Sequence, residues 1–455
     1  MNIMKIHFIG IGGIGVSALA RYYLEKGCPV SGSDLVSSEI TEALKKKGAK
    51  LLIGKHKAGN LPRDVDLVIY SPAVPKDNPE LKEGGRLKIK CLSYPEALGE
   101  LTKKYFTIAI SGTHGKSTTT AMIGLILIKA GLDPTVIVGT KVPQFGGSNC
   151  RVGKSKYLVI EADEWQASFL NYWPKIIVLT NIEREHLDFY KNLRNILKTY
   201  REYIGHLPKE GILIVNSEDK NIQKVIAKKV HVPIFYFYFS GWKKEANKLR
   251  EILKIPGGYN VYNALAALTV ARVLGISDKI SLEALSKYKG SWRRFETTEI
   301  RYPIRYTLVS DYAHHPTEIR VTLKAAREKY PKKEIWCIFQ PHQYQRTYYL
   351  FNDFVKVFRE APVNKLIITD IYDVAGRETT EIKKRVSSEK LVQAINNRRD
   401  RSNKSNWSNY LPKGEIVRYL KENLKGGEVI IIMGAGDIYK LVLHLTEKGE
   451  RKKIK

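Results

Sequence analysis

The run Ser111-Gly112-Thr113-His114-Gly115-Lys116-Ser117-Thr118-Thr119-Thr120 constrains this chain more than any other stretch. Before it, Tyr105 to Ile110 reads as a short buried strand; after it, Ala121 to Ala130 reads as a helix closed by Gly131. Strand, glycine turn, lysine, hydroxyl and helix is the order a phosphate cradle needs. Backbone N–H groups and the helix dipole face the anion, the lysine adds a mobile charge, and the hydroxyl can ligate Mg²⁺. The usual pattern has a glycine five residues before Gly115, where this chain has Ile110. A shortened loop that holds a nucleoside triphosphate is therefore expected.

At 455 residues the chain is long enough for two to four domains at about 150 residues each. Its formal net charge of +30 favours anionic partners such as nucleotides, nucleic acid or membrane surfaces. The lysines are spread rather than clustered, which equally describes a solvated basic surface. The terminal Arg451-Lys452-Lys453-Ile454-Lys455 reads as a frayed basic tail. Cys28, Cys91, Cys150 and Cys337 lie far apart without metal spacing and read as reduced thiols. No apolar run approaches the ~20 residues of a membrane span. The apolar N-terminal residues run directly into a glycine loop, unlike a signal peptide. A soluble cytoplasmic protein is expected.

Lys5 to Ile9 is an apolar strand, followed by Gly10-Ile11-Gly12-Gly13-Ile14-Gly15 and a helix from about Val16 to Lys26. A second strand, Pro29 to Ser33, ends at Asp34. Glycines for a tight turn and an acidic residue after the second strand form a dinucleotide fingerprint. It reports a diphosphate at a helix N-terminus, so NAD(P), FAD and UDP-sugars all remain open. The strand Asp66 to Tyr70 leads into the rigid turn Ser71-Pro72-Ala73-Val74-Pro75, which is either structural or at a ligand edge.

In the second unit, the strand Tyr157 to Ile160 ends in Glu161-Ala162-Asp163-Glu164, where the Mg²⁺ partners of a loop hydroxyl usually lie. Ile176 to Leu179 ends in Thr180-Asn181-Ile182-Glu183-Arg184-Glu185-His186-Leu187-Asp188, in which His186 is either a surface group or a metal or phosphate ligand. Strands follow at Ile212 to Asn216 and Ile234 to Phe239, the latter aromatic and expected to be core on one face. Asn260 and Asn263 sit one turn apart before the Ala-rich helix Ala264 to Leu274; they either read a purine edge or cap the helix. Arg293 and Arg294 mark a junction from which an arginine can reach a phosphate. Beyond it, four strands end in polar or glycine residues: Asp311-Tyr312-Ala313-His314, Gln340-Pro341-His342, Asp370-Ile371-Tyr372 and Gly434-Ala435-Gly436-Asp437. They build one ligand-facing edge. Asn396 to Lys413, with Trp407, reads as a mobile loop.

Nine motifs in this order resemble the Mur ligases: GIGGIG, SGTHGKSTTT, EADE, TNIEREHLD, PGGYNVYNALAA, WRRFE, DYAHHPTEI, FQPH and GAGD. The resemblance runs from about Lys5 to Leu445. It implies an α/β protein of three domains: a Rossmann-like domain over residues 1–103 for a UDP-sugar, a central P-loop domain over 104–294 for ATP, and a Rossmann-like domain over 295–455 for the incoming amino acid. It implies that ATP phosphorylates the lactyl carboxylate of UDP-N-acetylmuramate and that the amine of L-alanine displaces the phosphate. By resemblance, Gly112, Thr113, His114, Gly115, Lys116, Ser117 and Thr118 hold ATP phosphates. Ser117, Glu161 and His186 ligate Mg²⁺, Asn260 and Asn263 face adenine, Arg294 the phosphates and Asp311 the ribose. His314 faces the transferring phosphate, and Tyr312, His342 and Arg346 face substrate. Gly12, Gly13, Gly15, Asp34 and Ser71 cradle the UDP-sugar. Monomer and homodimer are both compatible.

The chain departs from the family at Gln343, where an arginine is usual, at Tyr259 for a histidine, at Ser310-Asp311 for an acidic pair, and at Trp165-Gln166 for Ser-Asp. A glutamine cannot make an arginine's charged bidentate contact. The closest rival activity is therefore attachment of a ready-made tripeptide to the same UDP-sugar. A nucleic-acid-stimulated ATPase would explain the charge but not the N-terminal fingerprint, and a nicotinamide oxidoreductase would not explain the phosphate loop. Neither nucleic-acid binding nor membrane insertion is expected.

Overall fold

The computed structural model describes residues 4–227, 230–301, 304–374, 378–397 and 407–450. The central part of the loop expected near Trp407 and the basic tail Arg451 to Lys455 lie outside the described residues. Three α/β domains each carry their own sheet. The chain divides into two compact units. One holds the residues up to Glu185 with Asn192–Leu253 and Val261–Lys289; the other holds His186–Lys191, Lys254–Asn260 and the chain from Gly290 onward. Among the described residues no helix is long and apolar enough to cross a membrane.

The first sheet pairs β1 (Ile6–Ile9), β2 (Val30–Asp34), β3 (Lys50–Ile53), β4 (Leu67–Tyr70) and β5 (Lys90–Ser93) in the order β3-β2-β1-β4-β5. All its pairings are parallel. The order reverses beside β1, which opens a crevice at the carboxyl ends of β1 and β4. The glycine loop and Ser71 both lie there. The helix Ile14–Glu25 begins two residues earlier than its apolar pattern suggests, because Gly13 stays extended and caps it.

Beneath this loop, the fully buried Glu80 carboxylate gathers four polar groups. His7 Nε2 lies at 2.9 Å, Ser33 Oγ at 2.7 Å, His56 Nδ1 at 2.7 Å and Asn60 Nδ2 at 2.9 Å. Ser33 in turn offers its carbonyl to the N–H groups of Gly10 and Ile11, at 2.9 and 3.1 Å. The network therefore fixes the base of the glycine loop. Burial alone would raise the Glu80 pKa, but these hydrogen bonds outweigh it and hold it down to about 2, against an ordinary 4.5. Its contribution to stability is present above pH 4.5 and lost as pH falls toward 2. Glu80→Ala is expected to cost about 3 kcal/mol, since it strands buried donors. Glu80→Gln is expected to flatten the acid limb of stability in that window. Urea unfolding across pH measures both, and a Glu80→Ala variant as stable as the parent would refute the role given to the network.

The second sheet contains β6 (Phe106–Ser111), β7 (Thr135–Val142), β8 (Ser148–Arg151), β9 (Tyr157–Glu161), β10 (Ile176–Leu179), β11 (Ile212–Asn216) and β12 (Ile234–Phe237), ordered β12-β11-β10-β6-β9-β7-β8. Only β7 and β8 pair antiparallel. β6 is central, flanked by β9 and β10, so the ends of these three strands converge. The helix Lys116–Lys129 begins inside the loop, because Gly115 adopts a left-handed φ of 85° and turns the chain at once. Its interior residues are buried between β7, β9 and the helix Asp278–Ser286. The aromatic strand is shorter than expected and lies at the sheet edge. Phe237 is buried, whereas Phe235 and Tyr236 face out, so the expected single buried face is held by one ring.

The β7–β8 hairpin docks on the N-terminal helix Ile14–Glu25. The buried Asn149 amide donates to the Ile14 carbonyl at 2.5 Å and to Ser17 Oγ at 3.0 Å. Lys141 reaches Glu39 at 2.6 Å.

The third sheet contains β13 (Glu296–Ile300), β14 (Tyr306–Asp311), β15 (Ile335–Phe339), β16 (Lys365–Ile368), β17 (Ser408–Tyr410) and β18 (Val429–Met433), ordered β13-β14-β18-β15-β16-β17. β13 is antiparallel and the rest are parallel. Successive residues of a strand point to opposite faces. Thus Val309, Cys337, Ile431 and Met433 build one core, and Leu308, Trp336, Ile338, Ile430 and Ile432 build the other. Burial on both faces explains why these strands are continuous apolar runs. The four strands read from sequence are β14, β15, β16 and β18, neighbours whose carboxyl ends share one edge, as expected.

Candidate active site

The phosphate loop leaves β6 at Ser111 and is held by the end of β10. Thr113 N–H donates to the Asn181 carbonyl at 2.9 Å, and His114 N–H to Asn181 Oδ1 at 2.9 Å. Thr180 Oγ1 and Asn181 Nδ2 both donate to the His114 carbonyl, at 2.7 and 3.0 Å. Glu183 N–H closes the turn on Thr113 Oγ1 at 2.8 Å. Gly112 needs a left-handed φ of 132° to make this turn.

Lys116 curls back over the loop. Its Nζ donates to the Gly112 carbonyl at 2.6 Å and to Glu164 Oε2 at 2.7 Å, with Asp163 Oδ1 at 3.7 Å. Burial pulls its pKa down, but the charges of Glu164, Asp163 and Glu161 outweigh that and raise it above the ordinary lysine value. The lysine is thus charged and held by carboxylates at the place where phosphates would compete for it. Ser117 Oγ donates to Glu161 Oε1 at 3.0 Å, and Gly139 N–H to Glu161 Oε2 at 2.7 Å. A hydroxyl and a fixed carboxylate side by side are the hard oxygen donors that suit Mg²⁺. Asn263 lies against the loop itself, accepting from Thr119 Oγ1 at 3.3 Å.

In the N-terminal domain, Gly12 N–H donates to Asp34 Oδ2 at 2.7 Å. A Cβ on Gly10 would lie 3.0 Å from Ser71 Cβ, and one on Gly13 would lie 4.0 Å from Ser71 Oγ. The structure therefore places Gly12, Gly13, Asp34 and Ser71 together, with Gly15 one residue into the helix.

The C-terminal unit gathers a second group. The Tyr312 and His314 rings meet edge to face at 5.3 Å, and His314 meets His342 at 5.8 Å. His342 stacks on Tyr372 at 5.4 Å and pairs with Arg346, whose Nη1 lies 3.0 Å from His342 Nδ1. The Arg294 guanidinium lies 4.8 Å from the Tyr312 ring centre, whereas Arg293 is buried and donates to the Gly434 and Gly436 carbonyls. Asp311 is buried and accepts from the N–H groups of Phe295 and Ala313, each at 2.8 Å. Burial pushes its carboxyl up to about 6, against the pull of Arg294. The Asn260 amide, in the first turn of the helix Gly258–Val273, donates to the Pro256 carbonyl at 2.7 Å, which ties the helix to the turn before it and is not the acceptor role of a cap. His186, at a left-handed φ of 53°, opens the short helix Leu187–Tyr190 and groups with the C-terminal unit.

Three contributors escaped the sequence reading. Glu164 was visible as one of three acidic residues at and after the end of β9, but local spacing does not tell it from Asp163 as the close partner of Lys116. Tyr372 carried no motif of its own. The N–H of Gly139 belongs to a strand and left no signal at all. At the departures, Tyr259 packs against the C-terminal core, and Gln343 takes a φ of 72° before the helix Tyr344–Tyr349.

Three α/β domains, a phosphate-loop turn with its lysine and carboxylates, and a separate glycine-rich loop are the parts of a modular nucleotide-binding protein. The chain belongs to the Mur ligase family. It matches the Mur ligase family catalytic domain over residues 5–106, the Mur ligase middle domain over 110–271, and the Mur ligase glutamate ligase domain over 293–436. It is 42% identical to the UDP-N-acetylmuramate–L-alanine ligase of Acetivibrio thermocellus, over 96% of this chain and 94% of that one. It is 40% identical to the enzyme of the same name from Clostridium acetobutylicum, over 96% of each chain. Its fold matches the crystal structure of the UDP-N-acetylmuramate–alanine ligase of Thermotoga maritima with a TM-score of 0.77 and 28% identity, over 99% and 100% of the two chains.

Proposed function

We propose that this protein is an ATP-dependent ligase that joins L-alanine to the lactyl carboxylate of UDP-N-acetylmuramate and releases ADP and phosphate. The observation that carries the chemistry is the pairing at the phosphate loop: Lys116 poised on Glu164, and Ser117 poised on Glu161. The relatives at 40–42% identity over nearly the whole chain carry the substrate assignment.

A carboxylate does not acylate an amine until one oxygen becomes a leaving group. One lactyl oxygen attacks the γ-phosphorus of ATP, the β–γ bridging bond breaks, and ADP departs. The alanine amine then attacks the acyl carbon of the resulting acyl phosphate. A tetrahedral intermediate collapses, the C–O bond to phosphate breaks, and the nitrogen loses a proton. In this reaction the protein positions anions and offsets their charge. Of the loop residues Gly112 to Thr118, the amides of Gly112, Gly115, Ser117 and Thr118 and the Lys116 ammonium hold the ATP phosphates, while the Thr113 and His114 N–H groups are taken by Asn181 and shape the loop. Ser117 and Glu161 hold Mg²⁺, with His186 assigned as a further ligand by resemblance. When bound there, the ion would supply charge neutralisation to the ATP phosphates. Gly12, Gly13, Gly15, Asp34 and Ser71 are assigned to the UDP-sugar. Tyr312, His342 and Arg346 are assigned to the amino acid, and His314 to the transferring phosphate. Asn260, Asn263, Arg294 and Asp311 are assigned to the nucleotide by resemblance. The domain limits 1–103, 104–294 and 295–455 belong to the same reading. A cytoplasmic location fits an enzyme fed by ATP and a UDP-sugar.

ADP formation with UDP-N-acetylmuramate and a panel of amine acceptors tests this reading. L-alanine is expected to support turnover and the tripeptide is not. Turnover with the tripeptide alone would overturn the choice of acceptor.

A further inference from the structure

We infer that Tyr94 is a substrate-contacting residue whose hydroxyl donates a hydrogen bond to the lactyl carboxylate of the UDP-sugar. This rests on the function proposed above. Tyr94 stands at the carboxyl edge of the first sheet, immediately after β5, and opens the helix Tyr94–Thr102. Ser93 caps that helix, its N–H donating to Glu96 Oε2 at 2.7 Å, so the start of the helix is fixed. The far end is fixed too: a Cβ on Gly99 would collide with the Asn171 carbonyl, so the helix sits tightly on the segment that follows Glu164.

The ring of Tyr94 covers the first turn of the N-terminal helix. A Cβ on Gly15 would lie 2.8 Å from its Cζ, 2.9 Å from its Cε1 and 3.2 Å from its Oη. Gly15 is therefore glycine for a second reason besides phosphate approach: it lets this ring in. The hydroxyl lies over Gly15, and the β7–β8 hairpin that reaches the neighbouring Ile14 and Ser17 through Asn149 also holds Glu161 through the Gly139 N–H. Burial, then the charges of Glu161 and Asp163, raise its pKa above the ordinary tyrosine value, so it stays a neutral donor at physiological pH. Among the described residues, no hydrogen bond to the Tyr94 hydroxyl is present.

The ring thus covers the first loop where the hairpin that holds Glu161 docks on it. The UDP-sugar has to span the two loops, with its diphosphate on the first loop and its carboxylate beside the second. A cation at this position would be captured by Glu161 and Asp163, as Lys116 is by Glu164. A phenol is not, and it can still donate to an incoming carboxylate.

Tyr94→Phe keeps the ring and removes only the donor. Hydrogen bonds to charged groups are worth enough that affinity for UDP-N-acetylmuramate should fall about ten- to a hundredfold. Affinity for UDP-N-acetylglucosamine, which has the same diphosphate and no lactyl group, should be unchanged, as should the KM for ATP. Calorimetric titration of both sugars against the two proteins reads this. Equal losses for both sugars would move the contact to the diphosphate and overturn the inference, and so would no loss for either. If the parent protein itself forms no ADP with UDP-N-acetylmuramate and L-alanine, the functional reading fails. If the parent is active and Tyr94→Phe matches it, only this inference fails.

Discussion

Lys116→Ala is expected to lower ADP formation about a thousandfold or more while leaving UDP-sugar binding intact. Removing one preorganised donor from a developing charge typically costs a hundred- to thousandfold. Here the loss is larger because the lysine also neutralises its neighbours. Glu164 lies 2.7 Å from its Nζ and Asp163 lies 3.7 Å away. Without the ammonium, both carboxylates face the incoming phosphates and repel them. Glu164 is also buried, so the variant leaves a buried charge without its cation and is expected to lose stability. Lys116→Gln keeps a donor for Glu164 and separates the two effects. It should fold like the parent and remain inactive. Steady-state ADP release, with titration of UDP-N-acetylmuramate as the binding control, measures both. Ligation by Lys116→Gln at a tenth of the parental rate or more would mean that the loop is misassigned.

Gly112→Ala is expected to weaken ATP binding about a hundredfold without unfolding the protein. The position has a φ of 132°, which an alanine adopts only with strain of order 1–3 kcal/mol. The added methyl would also collide with Thr180 Oγ1 and lie 2.8 Å from the Asn181 carbonyl. Those two groups hold the His114 carbonyl and the Thr113 N–H, so relief of the clash displaces the loop amides themselves. Gly131→Ala provides the comparison. It too has a positive φ, of 77°, but nothing lies within 4 Å of the new methyl. It should lose a little stability and no ATP affinity. Fluorescent-nucleotide titration of both variants reads the difference, and equal affinities would remove the loop geometry from the account.

The parts of the site that sequence made legible are those in which a strand hands directly to its ligand-binding turn. Gly112 to Thr118 after β6, Gly10 to Gly15 after β1 and Glu161 at the end of β9 each combine an apolar run with a short polar segment, and local order is enough to place them. What was not legible depends on partners far along the chain. The choice of Glu164 over Asp163 as the close partner of Lys116, at 2.7 against 3.7 Å, is a tertiary placement that no spacing rule anticipates. The β7–β8 hairpin that carries Gly139 to Glu161 and Asn149 to the first domain is a tertiary arrangement, and its strands carry no motif. β3 is short and half exposed at a sheet edge, so its apolar pattern is weak. Asn260 illustrates the converse. Its sequence context left capping and purine contact open, and its amide instead donates back to the Pro256 carbonyl, a contact that neither alternative describes.

The central claim is that the phosphate loop serves to turn a carboxylate into an acyl phosphate. Ligation with UDP-N-acetylmuramate labelled with ¹⁸O in its lactyl carboxylate tests that claim most directly. The account predicts that each phosphate released carries one ¹⁸O from the substrate, because the oxygen that attacks ATP leaves with the phosphate. Release of unlabelled phosphate together with amide product would contradict it.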